Sequence, residues 1–289
     1  SQPLNGLIAM DTYCVFGHPI EHSKSPWIHA RFAQLTGQSL QYHKTRVPLD
    51  GFAHTVHAFQ VSGGKGCNVT LPFKTEAAAL ATRCSPRVSL AQACNTLKFD
   101  GAEIYGDNTD GLGLVNDLVR NAGFSLRGKS VLLIGAGGAA AGVLGPLLCE
   151  KPRSIWVVNR TPEKAIQLVQ AHNSLALAEG VDCQAFGLQH ERVSSQAFDM
   201  VINASSSSLH QGALPVPASV LSQHGMACDL MYGPAAQGFM QWATDHGTLA
   251  RDGLGMLVEQ AAESFHLWRG VRPPTAPVLS DLRALMAQA

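Results

Sequence analysis

The segment that most constrains this chain is an apolar run that breaks into glycine: Val131-Leu132-Leu133-Ile134 leads directly into Gly135-Ala136-Gly137-Gly138-Ala139-Ala140. A short buried strand ending in a glycine turn that opens a helix is how a nucleotide-binding βαβ unit begins. Gly135 suits the tight turn, Gly137 leaves the backbone bare where a pyrophosphate would lie, and Ala140 is small enough for helix to pack on strand. The free N–H groups and dipole of the following helix would offset phosphate charge. A tight turn with nothing bound looks the same in isolation, so the surrounding pattern has to decide.

That pattern is α/β along the whole chain. In the first half, strands are expected at 13–16, 41–47, 66–69, 93–99 and 103–105, with Asp100-Gly101 as a hairpin turn. A helix is expected over 26–36, with Ser25 as its cap, Pro26 at its first position and Gly37 past its end. A second helix starts at Gly111, runs to near Gly123 and carries the chain into the next unit. There, strands are expected at 130–134, 154–158, 200–203 and 226–229, and helices at 139–149 and 162–171. A last amphipathic helix over 255–268 puts Leu257, Ala261, Phe265 and Trp268 on one stripe. Gln260 shares that stripe and so needs water or a partner in a cleft.

With 289 residues and 46% hydrophobic content, the chain can fill two cores of about 130 residues each. The expected fold is α/β with two domains: an N-terminal, mainly parallel α/β substrate domain and a Rossmann-type dinucleotide-binding domain. Lysine plus arginine balances aspartate plus glutamate at 21 each, with no block of like charge. Neither nucleic acid nor a membrane surface is an obvious partner for such a chain, and a small molecule is expected instead. No stretch approaches about 20 unbroken apolar residues, and no signal peptide is evident, which points to the cytoplasm. Cys14, Cys67, Cys84, Cys94, Cys149, Cys183 and Cys228 are odd in number and never in CxxC spacing. They read as buried small hydrophobes in a reducing compartment. His18, His22 and His29 are spaced across a loop and a helix start, so no metal is expected. Residues 1–9 show no pattern and are set aside as an expression leftover or a disordered leader.

The strand expected at 154–158 ends before Asn159-Arg160-Thr161, with Lys164 one turn on. An NAD site would place a carboxylate here for the ribose 2′-hydroxyl, and that carboxylate would repel a 2′-phosphate. Arg160 and Lys164 can instead form charge-assisted bonds worth about 1.5–3 kcal/mol each. NADP is therefore the expected cofactor. In the plainer alternative both are solvated charges at a helix start, where Thr161 and Pro162 already make a good cap.

Lys74 closes the segment Asn68-Val69-Thr70-Leu71-Pro72-Phe73-Lys74. Around it the sequence offers hydroxyls at Ser23 and Ser25, an amide at Asn95 inside an apolar stretch, and the cluster Gly106-Asp107-Asn108-Thr109-Asp110-Gly111. Hydroxyls, amides, one lysine and one carboxylate are what a site for a polyhydroxy ring acid needs. Each also has a structural use: Ser25 as a cap, Asn95 as a backbone partner, and Asp107 or Asp110 as the cap of the next helix. Beside a dinucleotide turn, the set points to a hydride-transfer enzyme acting on a small polar substrate.

In the same order, SKSP at 23–26, GGKGCNVTLPFK at 63–74, CNTL at 94–97, GDNTDG at 106–111, GAGGA at 135–139, NRT at 159–161 and DGLGMLVEQAA at 252–262 resemble the shikimate dehydrogenase family. The resemblance runs from Met10 to the C-terminus and is nearest to the NADP-dependent biosynthetic type. It implies reduction of 3-dehydroshikimate to shikimate with NADPH, in a cleft between the two domains. Lys74 and Asp110 would be catalytic. Ser23, Ser25, Thr70, Lys74, Asn95, Asp110, Tyr232 and Gln260 would bind substrate. Gly135, Ala136, Gly137, Gly138, Ala139, Asn159, Arg160, Thr161, Lys164, Leu230 and Gly253 would bind cofactor. The substrate domain would cover 10–110 and be completed by 253–289, with 111–252 as the NADP domain. A homodimer is left open.

Two segments depart from the family pattern: Gln237-Gly238 stands where Thr-Pro is frequent, and Ala204 begins a serine run. Cys67 stands where alanine is commoner. The alternatives are a quinate/shikimate dehydrogenase with relaxed specificity, or an NADP(H)-binding sensor without catalysis. Arg160 speaks against an NAD-using version of the first, and the Lys74 and Asp110 pair against the second.

Overall fold

The computed structural model describes residues 10–205 and 216–289. The expectation for residues 1–9, and all but the first two positions of the serine run, lie outside them.

The first half contains β1 (Asp11–Gly17), α1 (Ser25–Thr36), β2 (Leu40–Arg46), α2 (Phe52–Val61), β3 (Gly66–Val69), α3 (Lys74–Leu80), β4 (Arg83–Cys84), α4 (Pro86–Ala91), β5 (Thr96–Asp100) and β6 (Glu103–Asp107). Its six strands form one sheet in the order β2-β1-β3-β5-β6-β4. β1 pairs in parallel with β2 and β3, and β4 with β6, whereas β5 runs antiparallel to both neighbours. The expected hairpin at Asp100-Gly101 turns the chain from β5 into β6, and Gly101 takes the left-handed φ of +58° that the turn needs.

The chain then crosses through α5 (Asp110–Asn116) and a widened helical turn (Asp117–Asn121) into β7 (Ser130–Ile134), α6 (Gly138–Cys149), β8 (Ser154–Asn159), α7 (Pro162–Ala171), α8 (Asn173–Glu179), β9 (Asp182–Gly187), α9 (Glu191–Ser194), β10 (Phe198–Asn203), β11 (Leu221–Asp229), α10 (Pro234–Asp245) and β12 (Leu249–Arg251). These strands make an all-parallel sheet in the order β12-β11-β10-β7-β8-β9. β7 shows why the apolar run reads as continuous: Val131 and Leu133 face the α6 cluster while Leu132 and Ile134 face Phe239 and Ala243 of α10.

α11 (Leu254–Arg269) and α12 (Ala276–Ala287) return to the first sheet. Val258, Ala261 and Phe265 of α11 and Val278 and Leu282 of α12 pack with Tyr13, Ile28 and Phe32. The Trp268 ring stacks on Tyr13 at 4.6 Å and its Nε1 donates to Leu97 O at 3.0 Å. Both chain crossings are tightly packed. A Cβ on Gly113 would meet Gln260 N at 2.6 Å. Asp117 is fully buried and accepts both Nε and Nη2 of Arg251, each at 2.7 Å.

Several expectations need correction. α1 starts one residue early, Lys24 precedes it, and the Ser25 side chain makes no capping bond. The strand expected over 93–99 begins only at Thr96, because Ala93 to Asn95 turns to meet the 107–110 loop. The helix expected from Gly111 to Gly123 starts at Asp110 and widens after Asn116. Cys84 and Cys149 are exposed and Cys183 is half-buried, so only Cys14, Cys67, Cys94 and Cys228 are buried. No helix of the described residues is long and apolar enough to cross a membrane.

Candidate active site

Lys74 is the first residue of α3, and Phe73 before it is completely buried, its ring stacked on Phe52 at 5.0 Å. That anchor fixes the backbone, and a bond from Cys94 N to Lys74 O at 2.9 Å ties it to the turn that carries Asn95. Asp110 is the first residue of α5, and its amide donates to Asn108 Oδ1 at 3.1 Å. Lys74 Nζ donates to Asp110 Oδ2 at 2.7 Å. The side chains stay 24% and 13% exposed, so the pair is screened from bulk water yet reachable.

Asn95 holds the other carboxylate oxygen. Its Nδ2 donates to Asp110 Oδ1 at 3.0 Å, to Thr109 Oγ1 at 2.9 Å and towards Gln260 Oε1 at 3.3 Å. Its Oδ1 accepts Thr109 N at 2.8 Å. Gln260 thus finds the partner its apolar stripe required, and its Nε2 donates to Leu257 O at 2.8 Å. Lys74, Asn95, Asp110 and Gln260 therefore form one bonded set. Asp107 does different work: it takes Ser85 Oγ at 2.7 Å and both Nε and Nη2 of Arg87, at 3.1 and 2.9 Å.

Ser23, Ser25, Thr70 and Tyr232 make no direct hydrogen bond to that set among the described residues. Ser25 N donates to Ser23 Oγ at 3.2 Å, which folds the two serines into one turn. Thr70 N donates to Phe16 O at 2.9 Å, and Thr70 Cγ2 occupies the space a side chain on Gly17 would need. Tyr232 packs with the cluster of α1, α11 and α12, and burial pushes its phenol up.

On the second sheet, Gly135 has φ +110°, and a Cβ there would strike Ala204 C and Ser205 N at 3.0 Å. Gly137 and Gly138 have nothing within 4 Å of an added Cβ, and no side chain caps α6. A bare backbone with free N–H groups at a helix start fits a pyrophosphate. Ala136 is half-buried and Ala139 exposed beside them, while Ala140 is buried against the α6 core. Arg160, Thr161 and Lys164 are exposed around the end of β8, and Asn159 Nδ2 donates to Thr161 O at 3.1 Å. Neither Arg160 nor Lys164 is paired with a carboxylate among the described residues. Both cations are thus available to a 2′-phosphate.

Leu230 and Gly253 meet directly: a Cβ on Gly253 would collide with Leu230 O, and Gly253 N donates to Met231 O at 2.8 Å. Asp229, fully buried beside them, accepts Met231 N at 2.9 Å and Asn203 Nδ2 at 3.3 Å. Burial raises its carboxyl to about 6. His18 Nδ1 bonds Val47 O, and His29 is stacked on Tyr42 in an aromatic cluster with its ring nitrogens unbonded.

Sequence reasoning missed Thr109 and Thr96, which are 1% and 0% exposed and fix both ends of the Asn95 amide. Thr109 had a signal in its place between Asn108 and Asp110. Thr96 had none, because a threonine in a strand is ordinary.

Residues 15–97 match the shikimate dehydrogenase substrate binding domain, residues 117–211 the shikimate/quinate 5-dehydrogenase family, and residues 253–283 the shikimate 5′-dehydrogenase C-terminal domain. The shikimate dehydrogenase (NADP(+)) of Acidovorax sp. strain JS42 is 62% identical over 279 residues, covering 96% of this chain and 98% of the relative. An Ael1 enzyme from Pseudomonas putida has a similar structure, with TM-score 0.86 and 43% identity over 94% of this chain and 98% of that one. Shikimate 5-dehydrogenase from Thermus thermophilus, solved with NADP(H) and shikimate, gives TM-score 0.81 and 29% identity over 95% of this chain and 99% of that one. Taken with the bonded lysine–aspartate set and the bare glycine cradle, these likenesses establish that the chain belongs to the shikimate dehydrogenase family.

Proposed function

We propose that this chain is an NADP-dependent shikimate dehydrogenase, an oxidoreductase that interconverts 3-dehydroshikimate and shikimate on the route to aromatic amino acids. The observation that carries this is the Lys74–Asp110 pair at 2.7 Å, joined through Asn95 to Gln260 of the returning helix. When bound, NADPH supplies the hydride that reduces the C3 ketone. Lys74, aimed by Asp110, gives a proton to the oxygen that becomes the alcohol, and takes it back in the reverse direction. Asp110 orients that ammonium and stabilises charge as the proton moves. Asn95, Gln260, Thr70 and Tyr232 bind ring hydroxyls, and the Ser23–Ser25 turn takes the substrate's far end. Arg160 and Lys164 hold the 2′-phosphate, with Asn159 and Thr161 shaping the loop, while Leu230 and Gly253 border the nicotinamide.

Residues 10–110 and 253–289 are assigned to the substrate domain and 111–252 to the NADP domain. Support comes from the strand membership of the two sheets and the packing of α11 and α12 on the first. A reducing cytoplasm is the assigned location, in keeping with seven free thiols.

The test follows the absorbance of reduced nicotinamide with 3-dehydroshikimate, using NADPH and NADH in parallel, and in reverse with shikimate and quinate. Turnover with NADPH that far exceeds NADH, and little with quinate, is expected. No turnover despite NADPH binding would refute the assignment.

A further inference from the structure

Below the Lys74–Asp110 pair lies a column of buried polar side chains whose centre, Ser264, has no part in the proposed chemistry. Ser264 sits on α11 one turn past Gln260 and is fully buried. Its Oγ lies 2.8 Å from Thr96 Oγ1, 3.1 Å from Asn68 Nδ2, and 3.3 Å from both Thr109 Oγ1 and Gln260 O. One hydroxyl proton cannot serve all four, and the fixed donors around it decide where it goes.

Two backbone groups and one carboxylate set the directions. Thr109 N can only donate, so the Asn95 atom it meets at 2.8 Å is the oxygen, and the Asn95 nitrogen faces Asp110. Asn95 O can only accept, so the Asn68 nitrogen points to it at 3.2 Å and the Asn68 oxygen takes Tyr42 Oη at 2.7 Å. Thr96 Oγ1 spends its single proton on Asn95 Oδ1 at 2.9 Å, and Thr109 Oγ1 spends its own on Gln260 O at 3.0 Å. Thr96 Oγ1, its proton spent, accepts weakly from Asn68 Nδ2 at 3.2 Å and more closely from Ser264, which itself accepts from Asn68. The donors form a one-way series: Tyr42 to Asn68, to Ser264, to Thr96, to Asn95, to Asp110. In a buried series of this kind each bond polarises the next, and every member is held in one orientation.

We infer that Ser264 is a positioning residue, the link through which α11 and the strands beneath it hold the Asn95 amide, and so the Asp110 carboxylate, in register with Lys74. This rests on the lysine–aspartate chemistry proposed above. Without the Ser264 hydroxyl, Thr96 Oγ1 keeps only its longer donor, Asn68 Nδ2 at 3.2 Å, and its hold on the Asn95 oxygen loosens.

The experiment uses the full chain as wild type, Ser264→Ala and Ser264→Thr. It measures kcat and KM for shikimate and NADP+, the melting temperature, and the rate at which trinitrobenzenesulfonate modifies Lys74, read by peptide mass spectrometry. The Ala variant is expected to lose about ten-fold in kcat, the scale of one buried hydrogen bond, with KM for NADP+ unchanged and Lys74 modified several-fold faster. The Thr variant, which keeps the hydroxyl but adds a methyl, is expected to retain most of its kcat even where its melting temperature falls. Wild-type kcat and labelling in the Ala variant would overturn the inference, as would a kcat loss that follows melting temperature in both variants. An inactive wild type would refute the proposed reaction, while the Lys74 labelling ratio would still decide the role of Ser264.

Discussion

Lys74 and Asp110 open two different helices, α3 and α5, and their charged ends meet at 2.7 Å across 36 positions of sequence. A helix start favours the carboxylate and disfavours the ammonium. Asp110 is therefore placed with the local field and Lys74 against it, and the carboxylate is what holds and aims the lysine. Lys74→Ala is expected to lower turnover about 100- to 10,000-fold while NADPH affinity, read by fluorescence titration, stays at the wild-type value. An equal loss in both would assign Lys74 to cofactor binding.

Arg160 and Lys164 stand exposed at the end of β8 with no carboxylate partner among the described residues. Removing either should raise KM for NADPH about 10- to 150-fold, the range of a charge-assisted bond. KM for NADH should not move. A parallel rise for both cofactors would show that the loop itself had been disturbed.

Gly137 and Gly253 separate two kinds of glycine requirement. An added Cβ at Gly137 meets nothing within 4 Å, whereas at Gly253 it would sit on Leu230 O. Gly137→Ala is expected to keep the melting temperature and weaken NADPH binding, because the methyl occupies the space a pyrophosphate needs. Gly253→Ala should cost about 1–3 kcal/mol of stability, the scale of an overpacked site, since backbone has to move. Differential scanning calorimetry beside NADPH titration checks both.

His29 is buried against Tyr42, with the rings 4.3 Å apart, and neither ring nitrogen has a hydrogen-bond partner. Desolvation lowers it to about 3. A histidine with a depressed folded pKa adds stability above its unfolded value of about 6.5, and that stability is lost as pH falls towards the folded value. For one such group the loss is about 1.4 kcal/mol per pH unit, or about 2 kcal/mol between pH 6.5 and 5. His29→Phe should flatten the fall in urea midpoint over that interval. An unchanged pH slope would mean that His29 is protonated in the folded chain.

What the sequence made legible was local. Ser130 to Ile134 and Pro162 to Ala171 match their expected limits because strand composition, turn glycine and helix cap all lie within a few residues. Asn95 was misjudged as strand because what delays the start of β5 is a bond that its side-chain oxygen accepts from Thr109 N, 14 positions later. α10, β12 and α12 were not foreseen: β12 has only three residues, and the apolar faces of the helices are intelligible only against the sheets they cover. At the site, Lys74 and Asp110 carried chemical signals of their own, and Gln260 stood out as polar on an apolar stripe. Tyr232 and Thr70 came from family likeness alone. Ser264 gave no signal, since a serine on a buried helix face resembles small filler until its neighbours are known.

The two chain crossings between the sheets lie against each other. Gly113 of the outgoing helix touches the backbone of Gln260 on the returning one, and Arg251 grips Asp117 a turn further on. Each covalent passage between the sheets is thus backed by a noncovalent contact, and a change on either helix is felt by the other. Gln260, with Asn95 bonded to it, sits in this seam, whereas Arg160 stands exposed at the end of β8. Bulk added at Gly113 would therefore reach the Asn95 amide through Gln260 while leaving the end of β8 untouched.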